Sequence, residues 1–101
     1  MAQKIIVFWR DIPAQVIVKA GRRTARRQLP ERFEQAIDRA AMRAKLTGTD
    51  AYLEQWRRSD PIVVGDDLEN EAANAADALE TEYDAERIRE MVDNLGFAKA
   101  S

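Results

Sequence analysis

The segment Ile5–Arg27, IIVFWRDIPAQVIVKAGRRTARR, constrains the fold of this chain most, because two apolar runs flank a proline-containing turn and then give way to four arginines. Val, Ile, Phe and Trp at this density favour pleated, buried backbone, and proline fixes one torsion of a turn. Lys4–Trp9 and Gln15–Lys19 are therefore expected to be antiparallel strands joined by Asp11-Ile12-Pro13-Ala14. Along the first strand Ile5, Val7 and Trp9 share one face and Ile6, Phe8 and Arg10 the other. A strand apolar on both sides is expected to lie centrally or to be covered twice.

Gly21 is expected to end the second strand, and Arg22–Gln28, which has no apolar periodicity, to be an exposed connector. Pro30 and Glu31 suit a helix start, and Phe33, Ile37, Ala40, Ala41 and Ala44 recur at helical spacing to about Leu46, with Gly48 as the stop. Thr49 is placed to cap a second helix, Asp50–Arg58, whose Tyr52, Leu53 and Trp56 form an apolar stripe expected to be buried; Asp60-Pro61 then breaks it. Ile62-Val63-Val64 is expected to add a short strand to the hairpin. Asp66 with Glu69 resembles a capping box ahead of Leu68, Ala72, Ala75, Ala76, Leu79 and Tyr83. The phase then slips, and Asp84 is expected to cap a last helix that carries Ile88, Met91, Val92 and Leu95 and ends at Gly96. The order ββααβαα predicts one α+β domain over residues 1–101, a sheet of about three strands with about four helices packed on it.

Composition narrows function by exclusion. A chain of 101 residues, 46% hydrophobic, suits one core, and at this length folding buries roughly 60–65% of the unfolded surface. The absence of cysteine and histidine removes disulfides, thiolate nucleophiles, the usual zinc ligands and the usual general base near neutral pH. Gly21, Gly48, Gly65 and Gly96 fall at element ends rather than in a phosphate-cradling cluster. Glu69, Glu71, Asp77, Glu80 and Glu82 occupy positions left over by the Leu68–Tyr83 stripe, as a solvated helix face does, and Asp66-Asp67 lacks the alternating acids of a calcium loop. The chain is therefore read as non-enzymatic, with no cofactor and no metal. The apolar run IIVFW is too short for a signal-peptide core, and no segment approaches the ~20 apolar residues of a membrane span. A cytoplasmic protein without a membrane partner is expected.

Charge is divided along the chain. Residues 1–58 carry 13 Lys+Arg against 6 Asp+Glu (+7), and residues 59–101 carry 3 against 12 (−9). Either the two halves face and partly neutralise each other, or the basic half attracts an anionic partner. Arg22, Arg23, Arg26 and Arg27 are the densest basic cluster, and guanidinium forks suit carboxylates and phosphates. Three readings follow: a solvated or internally paired loop, docking of an acidic protein or a small anion such as a nucleotide, and nucleic-acid binding. The last is disfavoured by the absence of interleaved aromatics and of any nucleic-acid motif. At the turn, Trp9-Arg10-Asp11 has the composition of an interface hot spot, or of a core tryptophan beside an Arg10–Asp11 contact; Trp56-Arg57-Arg58 has the same two readings. An exposed apolar hairpin face would equally suit a homodimer.

Trp9-Arg10-Asp11-Ile12-Pro13-Ala14-Gln15-Val16, followed by Lys19-Ala20-Gly21-Arg22-Arg23, resembles the hallmark of a small bacterial family known as the virulence factor domain. Members stand alone at about this length or are joined to a larger protein, conserved virulence factor C. The resemblance runs from about Ile5 through Tyr52–Val64 and the Leu68–Tyr83 helix. It implies a cytoplasmic bacterial accessory protein and no established reaction, and it associates single-domain members with gene neighbourhoods for folate- and corrinoid-dependent methyl transfer. It also draws attention to Trp9, Arg10, Asp11, Pro13, Gln15, Arg22 and Arg23 as motif residues. The leading expectation is a protein-interaction domain that binds an acidic partner through Trp9, Arg10, Asp11, Gln15, Arg22, Arg23, Arg26 and Arg27. The alternative is a small-anion binder using Arg10 and Arg22.

Overall fold

The computed structural model describes residues 1–46, 48 and 50–98. Thr49, read as a helix cap, lies outside the described residues. Strands β1 (Ala2–Trp9) and β2 (Ile12–Ala20) form the expected antiparallel hairpin, but across a two-residue turn, Arg10-Asp11; Ile12 and Pro13 already belong to β2. Partners run from Gln3 with Lys19 to Trp9 with Ile12, and Ala14 is the extra residue where Val7 faces Gln15 and Phe8 faces Pro13. Bulges re-aim side chains. Here the irregularity coincides with a change of face: Ile5 and Ile17 are buried outside the main core cluster, whereas Trp9 lies inside it with Val16 and Val18.

The sheet has five strands, all paired antiparallel, rather than about three. The segment read as an exposed connector is strand β3 (Arg23–Gln28), paired along β2 from Ala20 with Arg23 to Gln15 with Gln28. Its side chains carry no periodic apolar signal because only Ala25 is buried; the pairing is imposed by the turn Gly21-Arg22. Gly21 has φ +59, the positive value that a two-residue hairpin turn of the II′ kind asks of its first central residue. The second helix is also shorter than its apolar spacing implies. It closes after α2 (Asp50–Glu54), and Trp56–Arg58 become strand β4, opposite Val7–Trp9. Backbone pairing with β1 overrides helical periodicity there, and the stripe is not buried: Leu53 and Trp56 are exposed and Tyr52 half-buried.

Strand β5 (Ile62–Val64) pairs with Ala2–Lys4, as expected of a strand added to the hairpin. Between β4 and β5, Ser59 both donates its N–H to the Ile6 carbonyl at 2.9 Å and accepts from the Ile6 N–H through Oγ at 2.9 Å. Thus β4 and β5 are two halves of one interrupted neighbour of β1, and β1 is central, with β3 at one edge and β4 and β5 at the other.

Helices α1 (Glu31–Arg43) and α3 (Leu68–Glu82) close one side of the sheet. Phe33, Ala36, Ile37 and Ala40 from α1 and Leu68, Ala72, Ala76 and Leu79 from α3 join Trp9, Ile12, Val16 and Val18 in one cluster. The cap of α3 is Asp67, which accepts from the Asn70 N–H, one residue beyond the Asp66 expected from sequence. Asp84 caps α4 (Ala85–Asp93) as expected, accepting from the Arg87 N–H at 2.9 Å.

Helix α1 stops earlier than Gly48. Lys45 has φ +60, its N–H donates to the Met42 carbonyl, and the Leu46 N–H donates to the Ala41 carbonyl, the two bonds of a Schellman motif. Lysine pays a Cβ penalty in this conformation that glycine does not. Lys45→Gly is therefore expected to stabilise the domain by about 0.5–1 kcal/mol, read as a higher urea midpoint with unchanged slope. A lower midpoint would contradict this ending for α1.

Candidate functional site

The turn residues singled out from sequence are built into the scaffold. Trp9 is 0% exposed, so it offers no surface to a partner, and its Nε1–H donates to the Tyr52 carbonyl at 3.0 Å. Arg10 stands at the first central position of the turn with φ +52, where Gly21 stands in the next hairpin. Its side chain gives the reason a non-glycine residue serves there. Nε donates to Gln55 Oε1 at 3.1 Å, Nη1 donates to the Leu95 carbonyl at 2.8 Å, and the guanidinium lies 4.5 Å from the Phe97 ring centroid and 5.2 Å from that of Trp9. Asp11 does not hold Arg10. Its Oδ1 accepts from Arg57 Nη2 at 3.1 Å, and its Oδ2 accepts from the Ala98 N–H at 2.8 Å. The turn thereby ties β4 and the segment after α4 to the hairpin tip.

Arg22, Arg23, Arg26 and Arg27 are all exposed. Alternation puts Arg23 and Arg27 on the face of buried Ala25 and Arg26 on the opposite face, across from Ile17. Among the described residues none of the four makes an ion pair or a side-chain hydrogen bond. Among the described residues neutralisation between the two halves of the chain is correspondingly sparse: the ion pairs joining them are Arg43–Asp93 at 3.5 Å and the Met1 ammonium with Asp66 at 3.7 Å. Gln15 lies half-buried on β2, between Val7 and Gln28. The tip and the Gly21-Arg22 turn terminate opposite ends of β2, eight residue steps or about 26 Å apart. Arg10 and Arg22 are thus too distant to share one small anion, and Arg10 is already engaged.

Sequence reasoning passed over a second arginine group. Arg32, Arg39 and Arg43 of α1 and Arg89 of α4 border a groove of ≈ 670 Å³ between the two helices. The signal was present, since arginines at i, i+7 and i+11 flank the Phe33–Ala41 stripe, but spacing within α1 cannot say which helix lies alongside. Arg32 is committed: Nη1 donates to the Tyr83 carbonyl at 2.7 Å and Nη2 to the Glu80 carbonyl at 2.9 Å, capping the end of α3.

Two tyrosines, Tyr52 and Tyr83, titrate above their ordinary value. Burial pushes the Tyr83 phenol up, partly offset by Arg87, whose guanidinium lies 4.2 Å from the ring centroid. Burial also raises Tyr52, with Asp38 and Glu34 adding to it and a hydrogen bond to the Trp56 side chain opposing. A phenol with a raised pKa is held neutral by the fold, while the unfolded chain ionises near 10.0. That stability is fully present below pH 10 and is lost as pH rises from there through the folded-state value. Thermal midpoints are expected to be flat from pH 8 to 9 and to fall above about pH 10, less steeply in Tyr83→Phe. An equal fall in that variant would remove Tyr83 as a contributor.

Among the described residues no three acidic side chains converge as a metal site would need, and no helix is long and apolar enough to cross a membrane. A sequence model of the Virulence factor family matches residues 7–92. The chain belongs to the Virulence factor family. The match spans β1 from Val7 through nearly all of α4, so this family unit includes the hairpin, the arginine edge and the paired helices together. No curated protein and no solved structure matches the chain.

Proposed function

We propose that this Virulence factor domain is a non-enzymatic accessory module that docks an acidic protein segment along strand β3. The observation that carries this reading is an open sheet edge bearing three exposed arginines, with a fourth, Arg22, in the turn that leads into it, none of which has an ion-pair partner among the described residues. An edge strand presents unpaired N–H and C=O groups to which an extended segment can add, and guanidinium groups alternating to both faces select one rich in Asp and Glu. The same charge repels a second copy of the edge, which protects against self-pairing.

Arg22, Arg23, Arg26 and Arg27, each replaced by glutamate, provide the test. Capture of a binding protein from bacterial lysate at low salt is expected to be lost in the reversed variant and weakened for the native chain at moderate salt, with the circular dichroism spectrum unchanged. Capture surviving the reversal sinks the reading. Stabilisation by a nucleotide or organic acid in a thermal-shift screen, with no protein captured, would replace the acidic protein with a small anion.

A further inference from the structure

The groove between α1 and α4 is shaped by two helices that run side by side in one direction. At one end Arg32, near the start of α1, bonds the carbonyls of Glu80 and Tyr83 just before α4; at the other Arg43 meets Asp93 at the end of α4. From Arg32 to Arg43 the groove follows α1 for 11 residue steps, about 16 Å or three turns. Its floor includes Ala36, Ile88 and Val92, and Met42, 58% exposed, lies towards the Arg43 end. Its walls are basic. Arg39 on α1 and Arg89 on α4 are exposed, and their side chains make no hydrogen bond or ion pair with any described residue. Four guanidinium groups line the groove against one carboxylate, Asp93.

We propose that this groove binds an acidic amphipathic helix of a partner protein, a site separate from the β3 edge. A compact anion would occupy only part of a trough three turns long. An apolar floor at helical spacing between arginine walls matches a helix with one apolar stripe and Asp or Glu on both flanks. Both groove helices present their N-termini at the Arg32 end, so their dipoles favour an occupant running antiparallel, its C-terminus at that end.

A displayed library of peptides about 16 residues long, enough for four turns, selected on the full chain, tests the site. Enriched peptides are expected to carry apolar residues at i, i+3 or i+4, and i+7 with acidic flanks, and to gain helicity on binding. Their affinity is expected to fall at least about 30-fold in the double variant Arg39→Glu, Arg89→Glu. Ala85→Trp, an exposed position on the groove wall, should block them similarly, and the β3 reversal should leave them unaffected. Both groove variants change exposed residues, and circular dichroism checks that each is folded. The proposal is overturned if no peptide is enriched over the double variant, if enriched peptides bind without becoming helical, or if they keep their affinity in either groove variant.

Discussion

Trp9→Ala is expected to remove about 3–5 kcal/mol of stability, a large part of the ~5–15 kcal/mol available to a domain of this size. The indole is fully buried, tilts against Tyr52 at a centroid distance of 5.7 Å, and donates its N–H to the Tyr52 carbonyl. Truncation leaves a cavity where the sheet, α2 and the segment after α4 meet, and removes the shorter of two hydrogen bonds to that carbonyl, which also accepts from the Gln55 N–H at 3.3 Å. Trp9→Phe should cost less, about 1–3 kcal/mol, because most apolar volume returns while the hydrogen bond does not. Urea unfolding followed by far-ultraviolet circular dichroism separates the two. A Trp9→Ala midpoint within experimental error of the native one would contradict this placement of the ring.

Gly96→Ala is expected to cost about 2–4 kcal/mol, from two sources acting together. Gly96 has φ +97, and a Cβ there would stand 2.8 Å from Trp9 Cζ3 and 3.3 Å from Arg10 Cδ. The conformation and the contact can be told apart. Gly21 also has positive φ, +59, but nothing lies within 4 Å of its Cβ position, so Gly21→Ala should show the backbone cost alone, about 1 kcal/mol. The excess at Gly96 measures the clash with the indole. In a Trp9→Phe background that excess should shrink, a coupling that a double-mutant cycle reads directly. Equal losses at Gly21 and Gly96 would mean that the ring does not press on Gly96.

These two effects explain the Trp9-Arg10-Asp11 motif without a ligand. Arg10 accepts a left-handed conformation because two segments of the chain meet its side chain or that of Asp11: Gln55, Leu95 and Phe97 for Arg10, and Arg57 and Ala98 for Asp11. A glycine at position 10 would relieve the backbone and release those contacts. The two surfaces proposed for recognition lie elsewhere, on the β3 edge and along the α1–α4 groove.

Elements whose signal is local can be read from the residues alone. β-branched density gave away β1 and β2, apolar residues at 3.6 spacing gave α1 and α3, and Asp84 gave the separate start of α4. The exposed arginines Arg22, Arg23, Arg26 and Arg27 were legible too, since nothing in their spacing asks for burial. Features that depend on a distant neighbour emerge only once the chain is folded. Arg23–Gln28 is a strand because β2 lies beside it, and Trp56–Arg58 leaves the helical pattern because β1 offers it a partner. The groove exists because α4 returns alongside α1. Periodicity records which face of a segment is buried, whereas strand pairing is made by backbone groups common to every residue type except proline, and so leaves little trace in side-chain pattern.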